Sequence, residues 1–246
     1  MLIALMSDIH GNREAFDACL AHARKQNVER FMLLGDLVGY GADPAYVVDF
    51  ARNLQNEGAV VLLGNHDEAV SGSTRDMNDY ARASIEWTRG RLSVAQRDFL
   101  AGLPRTHREG DILYVHSDAS NPPAWIYVTN ASAAERSMRA CDAHITVCGH
   151  VHVPQLYNMT PAKPAMLFTP KAPLAVPLSP TRRWLAVLGS VGQPRDQNPT
   201  AAYAILDDER RTISFCRVPY DIERAAQKIK NAGLPGILAA RLFVGR

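Results

Sequence analysis

Cysteine is scarce in this 246-residue sequence, which has four, at Cys19, Cys141, Cys148 and Cys216. None forms a C-x-x-C pair, so a disulfide framework is not expected, and the set reads as reduced thiols of an intracellular protein. Cys148 stands beside a candidate site but is expected to be a buried small apolar residue. Long apolar runs are also missing: none approaches the ~20 residues of a membrane span. The opening MLIALMSDIHG starts with six apolar residues and has no basic stretch before them, too short and wrongly flanked for a signal peptide. A soluble, cytoplasmic protein is expected. Charge of one sign is equally sparse. The formal net charge is +2 with no long basic or acidic block, so the footprint of a general nucleic-acid binder is absent, although a small or single-stranded substrate stays open.

What is present suffices for a large core. Hydrophobic residues make up 47% of the chain and charged residues 21%, which fits one large domain or two small ones. Leu2 to Met6 reads as a buried strand. NREAFDACLAHARKQN follows with Ala15, Phe16, Cys19, Leu20 and Ala23 at helical spacing and Asn12 as N-cap. RFMLLGD is a second short strand. DPAYVVDFARNLQNEG has Asp43 as N-cap, Pro44 at the first helical position and Gly58 past the end. AVVLLGN is a third strand. Strand-helix-strand-helix-strand predicts a parallel sheet covered by helices.

Residues 74–103 read as one or two helices, a helical insertion. THREGDILYVHS looks like a hairpin turning at Gly110, and 132–141 looks helical. After about residue 154 prolines recur, Pro170 and Pro173 among them, around the short strands WLAVLGS, AYAILD and TISFCRV, followed by the amphipathic DIERAAQKIKNAG. With no repeat and no low-complexity linker, the expectation is a single domain over 1–246, its second half adding a second sheet packed on the first.

Five strand ends deliver metal-binding residue types: Asp8 and His10 in SDIHGN, Asp36 in LLGDLVGYG, Asn65 and His66 in LLGNHDE, His116 in LYVHS, and His150 and His152 in CGHVH. Loops at strand C-termini converge in α/β sheets, so the fold can gather groups spread over much of the chain. Leaving His66 aside, two Asp, one Asn and four His are too many for one cation that must also admit substrate. They fit two cations about 3.5–4 Å apart sharing one carboxylate, with a bridging hydroxide as nucleophile. Nitrogen and oxygen donors without thiolate suit Mn, Fe or Zn. The i, i+2 spacings of Asp8/His10 and His150/His152 fit extended segments whose alternate side chains share a face. Double positive charge suits phosphoryl transfer.

In their order, DIHGN, GD, GNHD, the lone His and GHVH resemble the calcineurin-like metallophosphoesterases, over residues 8 to 152. The resemblance implies a four-layer α/β/β/α sandwich of two mixed sheets with a dinuclear site at one end. It implies Asp8, His10, Asp36 and His152 as ligands of one metal, and Asp36, Asn65, His116 and His150 as ligands of the other, Asp36 bridging. LGSVGQPRD looks like the closing strand and loop of small bacterial members. The phosphoprotein-phosphatase branch reads GDxVDRG, its Arg clamping a monoester dianion. Here Gly39 and Tyr40 replace the second Asp and the Arg, which favours a phosphodiester.

The activity expected is therefore phosphoester hydrolysis by in-line attack of a metal-bridging hydroxide, on diesters before monoesters. A metal-bound scaffold that binds nucleotides without turnover is the rival from another class. Two divalent transition metals are the expected cofactors, Mn first and Fe, Zn, Ni or Co after it. A small phosphoester is the expected partner; the oligomeric state is open. His66 is expected to stay metal-free and protonate the leaving group. It should point away from Asn65, since successive side chains of an extended segment diverge. Asp67 is expected to support from behind or cap a helix. Asn12 is a candidate for substrate contact as well as for capping, and Arg195 for phosphate contact. Substrate choice is expected to lie in residues 70–103, 117–131 and 155–183, where Trp87, Trp125 and Tyr127 can stack on a base or pack.

Overall fold

The computed structural model describes residues 1–169 and 174–246; Pro170 and Pro173 lie outside the described residues. Elements are numbered in chain order. β1 (Leu2–Met6), α1 (Arg13–Lys25), β2 (Arg30–Leu33), α2 (Pro44–Asn56) and β3 (Val60–Val61) follow the expected alternation. β1 pairs in parallel with β2, Met6 beside Leu33, and β2 with β3. The strands are short because the chain turns out of the sheet to reach the site. Asn12 caps α1, its Oδ1 accepting from the Ala15 amide at 3.1 Å. Asp43 precedes α2 but makes no side-chain cap bond; its carboxylate takes Lys228 Nζ at 2.8 Å.

Three helices come next: α3 (Asn65–Ser71), α4 (Asp79–Arg89) and α5 (Val94–Ala101), the last two inside the 74–103 stretch. Then come the hairpin β4 (Thr106–Glu109) and β5 (Ile112–Val115), α6 (Ala131–Arg139), β6 (Ile145–Cys148), β7 (Gln155–Thr160), β8 (Lys163–Phe168), β9 (Ala175–Pro177), β10 (Arg183–Val187), β11 (Ala201–Asp207), β12 (Thr212–Val218), α7 (Ile222–Asn231) and α8 (Gly236–Val244). Among the described residues, no helix is long and apolar enough to cross a membrane.

The strands form two mixed six-stranded sheets, β3-β2-β1-β11-β12-β9 and β4-β5-β6-β10-β7-β8. The sheets do not divide between the two halves of the chain, as the proline-rich second half suggested. β11 returns to pair antiparallel with β1, and β4, β5 and β6 found the second sheet before residue 154. Alternation along β1 explains the layering. Ile3 and Leu5 face the second sheet, meeting Tyr114, Ile145, Val147 and Trp184. Ala4 and Met6 face the helices, packing with Phe16, Val47 and Val48. On the second sheet, Cys148 and Leu185 turn outward to Ala134 and Met138 of α6. The order is helices, sheet, sheet, helix: the four-layer α/β/β/α sandwich.

Candidate metal centre

The C-terminal ends of β1, β2, β3, β5 and β6 all open at one end of the sandwich. Asp8, His10, Asp36 and His152 offer ligand atoms within 4.8 Å of one another, and so do Asp36, His116 and His150. Asp36 belongs to both groups, as a bridging carboxylate must. All six side chains are buried.

The imidazoles are oriented by main-chain carbonyls. Val38 O lies 3.0 Å from His10 Nδ1, Gln193 O 2.6 Å from His152 Nδ1 and Leu34 O 2.7 Å from His116 Nδ1. Donation from Nδ1 leaves each Nε2 lone pair turned into the site. For His150 the roles reverse: Nε2 faces Trp125 O at 2.9 Å, which frees Nδ1.

These inward-facing lone pairs lack hydrogen-bond donors from the protein. His10 Nε2 and His152 Nε2 are 3.2 Å apart, two lone pairs that repel unless a proton or cation stands between them. Asp8 Oδ1, Asn65 Oδ1 and His116 Nε2 are buried with no hydrogen-bond partner, a costly state that a cation relieves. The residues therefore fit a dinuclear divalent site.

Charge coupling runs through Asp36. Burial would push its carboxyl up, but the His116 and His66 rings more than offset this and hold it well below the carboxylate range. Burial likewise opposes protonation of His116, but the Asp36 carboxylate at 3.4 Å prevails and raises the ring to about 9.

The backbone achieves convergence differently from expectation. Asp8, His10, Asp36, His150 and His152 have φ between 51° and 67°, the left-handed region rather than extended chain. Residues held there cluster at functional sites, at about 1–3 kcal/mol each. The i, i+2 pairs share a target because the chain coils back, not because alternate side chains line a strand face.

Asn65 and His66 are not extended either; both open α3. Their side chains diverge because they occupy successive positions around a helix start. Gly64, before them, is close to Asp36: a Cβ there would overlap the Asp36 amide and carboxylate. That contact lets the His66 amide donate to Asp36 Oδ1 at 2.8 Å. Asp67 joins two loops, its Oδ1 accepting from Val38 N at 3.2 Å and its Oδ2 from Gly64 N at 3.0 Å. It supports from behind and caps α3 at once.

His66 belongs to neither ligand group. Its ring lies 4.5 Å from Tyr40 and 4.9 Å from His10, and Nδ1 is buried without a partner. Burial lowers its ring to about 4 against the pull of Asp36.

Asn12 is committed to structure. Oδ1 caps α1, as one of its two expected roles required, and Nδ2 donates to Gly192 O at 2.9 Å. Arg195 reaches the site rim: its amide donates to His152 O at 3.2 Å and its guanidinium carbon is 5.7 Å from the Tyr40 ring centre.

Next to Asn65 and His150 opens a cleft of about 750 Å³, walled by Trp125, Tyr127, Glu68 and Asp76. Tyr127 stacks on His150 at 4.0 Å, and Trp125 Nε1 donates to Glu68 Oε2 at 2.8 Å. Trp87 is elsewhere, under Arg91 beside α2. Sequence reasoning missed Gln193 and the Leu34 and Trp125 carbonyls, since main-chain acceptors leave no residue-type signal.

The family model described as "Calcineurin-like phosphoesterase superfamily domain" matches residues 1–211. An uncharacterised protein of Methanocaldococcus jannaschii is 33% identical over 251 residues, covering 100% of this chain and 98% of its own. The crystal structure of a metallophosphoesterase from Sphaerobacter thermophilus is 34% identical, covers 100% of both chains and superposes with a TM-score of 0.87. A hypothetical protein from Pyrococcus horikoshii OT3, 21% identical over 100% of this chain and 98% of its own, shares the fold with a TM-score of 0.81.

Proposed function

Because the chain belongs to the calcineurin-like phosphoesterase superfamily, we propose that it is a metal-dependent phosphoester hydrolase. The shared Asp36 between two buried ligand groups carries this reading. Asp8, His10, Asp36 and His152 would hold one divalent cation, and Asp36, Asn65, His116 and His150 the other. When bound, the pair supplies Lewis acidity and an activated water for in-line displacement at phosphorus. Mn is the expected cation, with Fe, Zn, Ni or Co able to use the same nitrogen and oxygen donors.

The chain's own residues do the rest. Backbone carbonyls fix the rings of His10, His116 and His152, so the ligand set costs little to organise when a cation enters. His66, with a free ring atom and a hydrogen bond from its amide to the bridging carboxylate, donates to the leaving oxygen. Exclusion of water at the buried ligands strengthens each of these interactions.

Phosphodiester hydrolysis is supported by the absence of an arginine at Tyr40. One observation favours monoesters instead: Arg195 rests against that same Tyr40. The test is turnover of a chromogenic aryl phosphodiester and the matching monoester after reconstitution with Mn²⁺, Fe²⁺, Ni²⁺, Co²⁺ or Zn²⁺. No hydrolysis of either with any cation, in folded protein that binds them, would sink the enzyme reading and leave the metal-bound scaffold.

A further inference from the structure

Arg195 is a cation without a counter-ion. Among the described residues no carboxylate lies within ion-pairing distance of it, and the adjacent Asp196 pairs with Arg217 instead. Nη2 donates to Gln193 Oε1 at 3.1 Å and sits 3.5 Å from the Tyr40 hydroxyl, while Nε is buried with no hydrogen-bond partner. A guanidinium presents five donors in a fixed fork, suited to a phosphoryl group. Leaving Nε desolvated and unpaired is costly unless a ligand fills it.

Its position is as telling as its charge. The backbone of Arg195 bonds to His152, a residue of one ligand group. Its side chain lies over Tyr40, which touches His10 and His66. Its charge also acts on the hydroxyl of Tyr127, the ring stacked on His150 of the other group. Arg195 thus overhangs the mouth shared by both ligand groups, where non-bridging phosphate oxygens must lie.

We propose that Arg195, propped on Tyr40, is a phosphate clamp that makes a terminal, doubly charged phosphate the preferred substrate class of this site. The proposal rests on the hydrolase reading above. The GDLVGYG segment lacks an arginine in sequence, but Tyr40 holds in place one delivered from the loop after β10. Space agrees with charge. The cleft of about 750 Å³ beyond Asn65 and His150 takes one organic arm.

The experiment compares wild type with Arg195→Gln and Arg195→Lys, all loaded with Mn²⁺. Calorimetry at about pH 8, where inorganic phosphate is mainly a dianion, reads affinity for that ion. Kinetics on an aryl monoester and the matching aryl methyl diester read charge class, and metal analysis and melting temperature control for damage. The expected result is phosphate binding weakened by about 10- to 100-fold in Arg195→Gln, as for loss of a charge-assisted hydrogen bond. Monoester kcat/KM should fall by a similar factor and diester kcat/KM by much less, with metal content unchanged and Arg195→Lys recovering part of the loss. Phosphate affinity within about twofold of wild type, or equal losses on both esters, would overturn the clamp. Failure of wild type to hydrolyse either ester, with Arg195-dependent phosphate binding intact, would remove the hydrolase reading and keep the clamp.

Discussion

His66→Ala separates metal binding from proton donation. The side chain is 5% exposed and belongs to neither ligand group, so the variant should retain two cations per chain by elemental analysis. Removing a buried ring packed on Tyr40 and His10 costs about 1–3 kcal/mol. That lowers the melting temperature by roughly 2–10 °C for a chain of this size. A positioned general acid contributes about 10²–10⁴ in rate, but only where the leaving oxygen needs a proton. Turnover of an alkyl phosphate should therefore fall by that factor, while an aryl phosphate, whose phenolate leaves unaided, should lose about tenfold or less. Steady-state kinetics on the two esters, with matched metal content, makes the comparison. Equal losses on both esters would refute the donor role, and a missing cation would show that His66 is a ligand after all.

Gly39→Ala should imitate that variant without touching His66. Gly39 has φ +84°, and a Cβ there would overlap His66 Nδ1, so the ring must move; alkyl-phosphate turnover should drop at least tenfold, with metal content kept and about 1–3 kcal/mol of stability lost in denaturant melts. Asn65→Ala should weaken one cation and spare the other, seen as one high-affinity and one lost site in a metal titration. Metal uptake should also depend on pH. His116 is raised to about 9 in the metal-free site, above its ordinary 6.5, so its proton stabilises the metal-free fold fully below about pH 6.5 and ceases to as pH rises through about 9. A cation must displace that proton, so apparent affinity at this position should climb with pH by up to about tenfold per unit between these limits. His116→Gln should flatten that slope in pH-dependent titration.

The sequence was most legible where chemistry dictates residue type. Asp8, Asp36, His116, His150 and His152 stand at strand ends, because apolar runs such as Leu2–Met6 and Ile145–Cys148 announce a strand and the following polar residue announces its use. The layer order was legible through the resemblance, but not the membership of the sheets. β11 pairs with β1 across some two hundred residues, and nothing local distinguishes it from the β10 beside which it was grouped. β7 and β8 were hidden by Pro154, Pro161 and Pro164, which mark strand starts and turns there. α8 was missed although Leu238, Ala239 and Leu242 line its buried face and Pro235 and Gly245 bracket it.

The harder loss was geometric. Spacing of two residues implies a shared face only in extended chain, and every i, i+2 pair here sits at positive φ. The ligands converge because closely approaching backbones fold each loop back on itself, with Gly64 against Asp36. The same compactness gives the absent arginine a second reading. In sequence, position 40 holds a tyrosine, and a clamp looks deleted; in space, that tyrosine lies beneath Arg195, 155 residues away. A side chain's neighbours in a motif are set by the chain, but its neighbours in the site are set by the loops that meet there. The sequence offers Arg195 as a candidate phosphate contact, but its place beside His152 and Tyr40 follows only from the loop after β10.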